Sequence, residues 1–312
     1  MSVLIQTENL GRYFGDIKAV DGISFEVKKG EVLGFLGPNG AGKSTTMKLL
    51  TCFLAPSFGT AKVGGFSVVS QSREVRQLIG YLPENAPLYS EMTVRSFLNF
   101  IAEVRGLTGS SAKAAVDRVL HLASLENVVQ QRIETLSKGY RRRVGLAQAL
   151  MTDPEILILD EPTDGLDPNQ KHEVRELIRA MATDKCIILS THILEEVDEV
   201  CTRAVIIAKG KIVADDTPDQ LRKLSETSGT VTVAFGKDLD EKALSALRGI
   251  SGVRAVKEIQ SGAGRRSFVL FPERSASVLL GLLKVAQKQG WPINDLRLDA
   301  GQLDEVFRSI TR

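Results

Sequence analysis

One run of eight residues restricts this chain more than any other. Gly37-Pro38-Asn39-Gly40-Ala41-Gly42-Lys43-Ser44 matches G-x-x-x-x-G-K-[ST] at every fixed position. Residues 31–36 before it (EVLGFL) read as a buried strand, and residues 45–53 after it as a helix. A glycine-rich loop in that setting folds its N–H groups around phosphate oxygens, and the helix turns its positive end toward them. Lys43 supplies a point charge to the outer phosphates. Ser44 offers a hydroxyl to Mg²⁺, and Thr45 continues the cradle into the helix. Such a loop requires strand and helix in parallel α/β order.

Residues 1–217 answer that requirement with alternating short apolar runs and amphipathic stretches. Residues 156–159 (ILIL) and 186–189 (CIIL) are further buried strands, with a helical pattern over 174–181 between them. Residues 204–208 and 212–213 read as a hairpin joined by Lys209-Gly210-Lys211, with a Gly-Lys turn. The stretch of about 93–150 differs: apolar residues recur every three or four positions over 93–105, 111–122 and 139–150. It reads as a helical insertion. Beyond Pro218 the order becomes strand 230–235, helix 241–247, strand 253–259, a turn over 261–264, strand 267–271, helix 275–289 and strand 293–298. That βαββαβ order is ferredoxin-like and makes 218–312 a second, α+β domain, as expected for 312 residues. Trp291, ahead of the last strand, reads as core.

A second chemical signal closes the strand 156–159. Asp160 and Glu161 emerge together at its C-terminal end, where α/β sheets bind ligands. Downstream of a phosphate loop, Asp160 suits the Mg²⁺ shell and Glu161 can polarise a water for attack on a γ-phosphate. The triplet Arg141–Arg143 raises a nucleic-acid reading. Against it, 40 basic and 38 acidic residues leave a net charge of +2, and successive arginines splay over different helix faces, where they help solvate it. Cys52, Cys186 and Cys201 form no CxxC pair, which points to a reducing compartment. His121, His172 and His192 are too few for a histidine-rich metal site. No apolar run has membrane-spanning length, and the opening MSVLIQTENL lacks a secretory pattern, so a cytoplasmic chain is expected.

Leu136-Ser137-Lys138-Gly139-Tyr140 resembles the signature loop of ATP-binding cassette (ABC) ATPases, usually written LSGGQ. Asp164-Gly165-Leu166-Asp167 resembles their D-loop, and Ser190-Thr191-His192 their switch-histidine loop. Residues 79–84 (IGYLPE) stand where the Q-loop belongs, and Tyr13-Phe14-Gly15 where an aromatic ring stacks on adenine. The motifs run in order from residue 13 to 192, and the resemblance thins beyond about residue 220.

The resemblance implies an α/β P-loop ABC ATPase core at 1–217, with ATP and Mg²⁺ as cofactors. It implies Glu161 as general base, His192 as γ-phosphate sensor, and Ser44, Glu84 and Asp160 around the metal. Phe14, with Tyr13 second, would stack on adenine. Two cassettes would meet head to tail, Ser137 and Gly139 of each reaching the γ-phosphate held by the other, with Asp167 linking the sites. The second cassette would be another copy or a paralogue. A separately encoded integral-membrane permease would hold the pair at the inner face of the membrane, with no nucleic acid involved. LSKGY, EPTDGLDP and the ending QLDEVF resemble the bacterial exporter branch with gliding-motility and drug-resistance ATPases. Non-transport members acting on ribosomes or DNA, the alternative, normally carry two cassettes or a long coiled coil, which this sequence lacks. Three departures stand out: Lys138 and Tyr140 replace Gly and Gln in the signature, and Glu84 replaces the Q-loop glutamine. Lys138 would add a cation near the phosphates.

Overall fold

A computed structural model describes residues 2–236, 241–261, 265–273 and 277–311. The chain divides into two compact units, Met1–Pro218 and Asp219–Ile310.

The first unit opens with β1 (Val3–Phe14) and β2 (Ile17–Lys28), followed by β3 (Val32–Leu36) and α1 (Lys43–Leu50). Then come β4 (Phe58–Val63), β5 (Phe66–Ser67), α2 (Ser72–Leu78) and β6 (Ile79–Leu82). Three helices follow: α3 (Val94–Val104), α4 (Gly109–Leu122) and α5 (Lys138–Leu150). The unit continues through β7 (Ile156–Asp160), α6 (Pro168–Ala182), β8 (Cys186–Thr191), α7 (Leu194–Val200), β9 (Arg203–Ala208) and β10 (Lys211–Asp216).

These strands form two sheets. The larger has the order β10-β9-β3-β8-β7-β6, with β9, β3, β8, β7 and β6 parallel and β10 returning antiparallel. Every residue of β3, β7 and β8 is buried, which is why VLGFL, ILIL and CIIL run without a polar side chain until Asp160 and Ser190 in the latter two strands. Lys209 and Gly210 both take positive φ in the β9–β10 turn, the backbone a two-residue hairpin favours. In α3, Val94, Phe97, Leu98 and Ala102 share the buried face that their spacing foretold.

The second sheet corrects the expectation of parallel strands throughout 1–217. Strands β2-β1-β4-β5 form a separate antiparallel sheet before and after the phosphate loop. Its strands alternate buried and exposed residues, as in IKAVDGISFEVK, so no continuous apolar run announces them. Its buried side chains, including Ile5, Val20 and Val63, join one core with Phe35, Ile158 and Ile188 of the larger sheet.

The second unit starts with α8 (Pro218–Arg222) and holds β11 (Val231–Phe235), α9 (Glu241–Arg248), β12 (Val253–Ser261), β13 (Arg265–Pro272), α10 (Leu279–Gln289), β14 (Ile293–Leu298) and α11 (Leu303–Ile310). Its sheet has the order β12-β13-β11-β14, antiparallel throughout, and α9 and α10 pack on one face through Ala243, Leu247, Leu282 and Ala286. Trp291 packs against that core, edge-on to Phe235 with ring centroids 5.6 Å apart. The turn expected over 261–264, apart from Ser261, and the helix start expected at Ser275 lie outside the described residues.

Candidate functional site

The loop between β3 and α1 has the backbone of a phosphate cradle. Gly40 and Gly42 take φ of 78° and 112°. At Gly42 a Cβ would also collide with the backbone oxygen of Ala19, so glycine is required twice over there. Lys43 is only 6% exposed, and its Nζ donates to the carbonyls of Gly37 (2.7 Å) and Pro38 (3.3 Å). Burial pulls the Lys43 pKa down, opposed by the carboxylates of Glu161, Asp160 and Glu84.

Across the cleft stands the end of β7. Asp160 accepts hydrogen bonds from Ser190 Oγ and, at 3.3 Å, from Ser44 Oγ. A hydroxyl and a carboxylate beside a phosphate cradle fit Mg²⁺, which takes one or two carboxylates with phosphate and water oxygens. Among the described residues no group of three His, Cys, Asp or Glu side chains gathers to hold a metal. Ser44 and Asp160 are the residues of this chain that would hold the ion, and Glu84 lines the same cleft as Ser44.

Glu161 takes a left-handed backbone, φ 52°, immediately after the strand. Its N–H donates to the Ser190 carbonyl at 3.1 Å and to Ser190 Oγ at 3.2 Å. The turn leaves Oε2 2.8 Å from His192 Nδ1 and Oε1 4.0 Å from Lys43 Nζ. Burial pushes the Glu161 carboxyl above its ordinary pKa, while His192 and Lys43 oppose the shift. β8 runs through Ser190 and Thr191, two residues further than the expected strand 186–189, so only His192 of the switch loop lies beyond it.

A cleft of about 440 Å³ thus unites Lys43, Ser44 and Thr45 with Glu84, Glu161 and His192. It leaves out Tyr13, Phe14, Ser137, Gly139 and Asp167. Tyr13 donates to Asp21 at 2.5 Å and meets Phe58 edge-on, whereas Phe14 stays 43% exposed with the Arg12 guanidinium 4.7 Å from its ring centre. Ser137 caps α5, its hydroxyl accepting from the Tyr140 N–H at 3.3 Å. Asp167 caps α6 by accepting from the Gln170 N–H at 2.9 Å. Gly139 packs so closely on Gln170 that a Cβ would lie 2.5 Å from its Oε1.

Three findings go beyond the sequence reading or correct it. Lys138 is no free cation: its Nζ donates to Asp164 at 2.7 Å, which holds that carboxyl below its ordinary pKa. Arg142 and Arg143 do not solvate their helix but are buried, at 7% and 5% exposure. The signal was present in VGLAQAL, because a helix apolar around most of its surface lies inside the fold. Glu196, buried in α7, accepts from the hydroxyls of Thr163 and, at 2.6 Å, Thr191, tying the segment after Glu161 to the strand before His192. Nothing in its local sequence separates Glu196 from its neighbour Glu195.

Comparison with known proteins decides the family. A family model described as "ABC transporter" matches residues 20–164. The Nod factor export ATP-binding protein I of Burkholderia orbicola (strain AU 1054) is 40% identical over 235 residues, covering 75% of this chain and 77% of that protein. The chain belongs to the ABC transporter family. A second ABC relative, the daunorubicin resistance ATP-binding protein DrrA3 of Streptomyces coeruleorubidus, is 33% identical over 309 residues, covering 98% of this chain and 95% of its own length. A solved ATP-binding subunit of an ABC transporter superposes with a TM-score of 0.65 at 29% identity, over 71% of this chain and 92% of that one. As an ABC ATPase, the chain binds ATP with Mg²⁺ and hydrolyses it to drive transport.

Proposed function

We propose that this ABC subunit drives export through a separately encoded membrane permease, working as one of two cassettes that close head to tail on ATP. Relatives that export Nod factor or confer daunorubicin resistance support the direction. Among the described residues no helix is long and apolar enough to cross a membrane. Membrane contact is assigned to the permease, at the cytoplasmic face.

The observation that carries the chemistry is Glu161, held by His192 at 2.8 Å and facing Lys43 at 4.0 Å. In this reading the phosphate loop binds the triphosphate, and Lys43 turns from the loop carbonyls to the outer phosphates. Mg²⁺, held by Ser44 and Asp160, supplies neutralisation of the charge that develops on the phosphate oxygens. Glu161 accepts the proton of the attacking water, and His192 orients it. His192's second ring nitrogen is left to sense the γ-phosphate. Ser137 and Gly139 stand outside their own cleft, which suits their use on the ATP of a second cassette. The helix that starts there would aim its positive end at that phosphate. Phe14, exposed beside Tyr13, whose side chain is engaged by Phe58 and Asp21, takes the adenine.

The permease side is the groove of about 830 Å³ lined by Phe53, Tyr81, Val104 and Arg105. Phe53 and Val104 are 74% and 66% exposed there, and β6, which carries Tyr81, ends two residues before Glu84. Gentle solubilisation of membranes and purification of the full chain tests the proposal. A polytopic membrane protein is expected to accompany it and to raise its ATPase rate. Recovery with ribosomes or DNA, and no membrane protein, overturns it.

A further inference from the structure

Arg142 sits in the middle of the machinery without facing the nucleotide cleft. Its Nη1 donates to the carbonyls of Pro83 (2.6 Å) and Glu84 (2.8 Å). Its Nη2 donates to the carbonyls of Asp160 and, at 2.7 Å, Glu161. One guanidinium therefore joins four backbone oxygens from two loops, each loop carrying a residue of the ATP site. It reaches them from α5, the helix that begins at the signature loop.

We propose that Arg142 is a positioning residue: it fixes the backbone of Glu161 and binds that turn and the Glu84 segment to the signature helix. The proposal rests on the reading of Glu161 as the residue that activates water.

The strained turn is the first reason. A left-handed φ is unfavourable for glutamate and persists only where its surroundings hold it. On one side Ser190 receives the Glu161 N–H, and on the other Arg142 grips the two successive carbonyls of Asp160 and Glu161. With the backbone held between these anchors, the carboxylate lies against His192 and Lys43.

The choice of side chain is the second reason. A guanidinium presents planar paired N–H groups that reach two pairs of acceptors at once, whereas a lysine ammonium is a point donor at the end of a flexible stem. Arg142 is buried, and burial pulls its pKa down while the carboxylates of Asp160, Asp164, Glu161 and Glu84 oppose the shift. A buried cation bonded to backbone oxygens is costly as mere surface decoration. Its geometry links movements. Through it α5 is bonded both to the Glu84 segment and to the turn at Glu161, so a movement of any one of the three is passed to the others.

The test is a double-mutant cycle on the full chain, reading ATPase kcat, ATP affinity by fluorescent-nucleotide titration, and thermal melting. Arg142→Lys is expected to lower kcat by about tenfold or more while ATP affinity changes by less than about threefold. In a Glu161→Gln background the same change is expected to cost nothing further, because the carboxylate it positions is already gone. Arg142→Gln, shorter and neutral, is the second variant and should behave alike. Full kcat in both variants overturns the proposal, as does a loss that multiplies undiminished on top of Glu161→Gln. Loss of ATP binding in both variants, with melting lowered in step, shows a folding role only and also overturns it. Wild-type turnover in Glu161→Gln alone instead removes the reading of Glu161, whatever Arg142→Lys does.

Discussion

Every charged side chain buried among the described residues lies in the first unit: Lys43, Arg142, Arg143, Asp160, Glu161, Arg175 and Glu196. The second unit buries Val231, Val233, Phe235, Phe268, Leu270 and Leu282, and among its described residues only Ser225, Thr230 and Ser267 are buried polar side chains. Packing explains the second pattern, since an apolar sheet face under two helices is stable without buried charge. The first pattern is hard to account for by stability. A buried ion pair is often matched or bettered by apolar residues of the same volume. Glu196 and Arg142 instead make hydrogen bonds to segments beside Glu161 and His192 that apolar residues could not make. Chemistry and packing are thus divided between the units, and substitutions can break that division.

The largest effect is expected at Lys43. Lys43→Ala removes the one cation inside the loop cradle, so ATP hydrolysis should fall to background and nucleotide affinity should drop in an equilibrium titration. Turnover at the wild-type rate would leave the cradle without its assigned role. Next comes Glu161→Gln, expected to bind ATP yet hydrolyse it about 10²–10⁴-fold more slowly, the usual contribution of a general base. ATP should then hold two copies together on size exclusion, and a monomer saturated with ATP would break the head-to-tail arrangement. A pH profile sharpens the point. Burial raises the Glu161 pKa, so on acidification the base is protonated earlier than a free glutamate at about 4.3. The acid limb of kcat should lie above that value in the wild type and vanish in Glu161→Gln.

Much of the first unit could be read because its chemistry is written in short contiguous runs. The phosphate loop, the Asp160–Glu161 pair and the switch histidine each follow a buried strand, and continuous apolar strands are conspicuous. The antiparallel sheet of β1, β2, β4 and β5 escaped, because a strand with one wet face has no such run. Arg141 is exposed, as expected, but Arg142 and Arg143 depart from the expectation for a different reason. Residue type gives the expected exposure of an arginine, but only tertiary contact shows four carbonyls waiting for Arg142. The pairing of Lys138 with Asp164 likewise joins positions 26 apart in sequence. C-terminal helix α11 was not read as a helix, although Leu303 and Val306 are buried one turn apart.

A smaller effect is expected at Glu84, where the first unit departs from its family. Its carboxylate shares the cleft wall with Ser44 and helps oppose the lowering of the Lys43 pKa. Glu84→Gln keeps an oxygen, so turnover should fall by no more than about tenfold, or about 1.4 kcal/mol of barrier. Glu84→Ala should do more harm and raise the Mg²⁺ requirement. Equal rates for all three proteins across a Mg²⁺ titration, with the permease present, would reduce Glu84 to a spectator.

The smallest effect on the chemistry should come from the largest cut into the second core. Phe235 is 2% exposed and touches both Trp291 and Phe268, with ring centroids 5.6 and 6.1 Å away. Phe235→Ala leaves a cavity that sheet and helices can only partly close, at a cost of about 3–5 kcal/mol. That loss falls on a unit whose whole stability is of the same order as a small domain's, about 5–15 kcal/mol. Calorimetry should therefore show an earlier transition, and limited proteolysis should cut beyond Pro218. Yet no residue assigned to ATP lies past His192, so the ATP dissociation constant should move by less than about twofold, some 0.4 kcal/mol. If affinity fell in step with melting, the second core would be supporting the cleft, and the division between packing and chemistry would not hold.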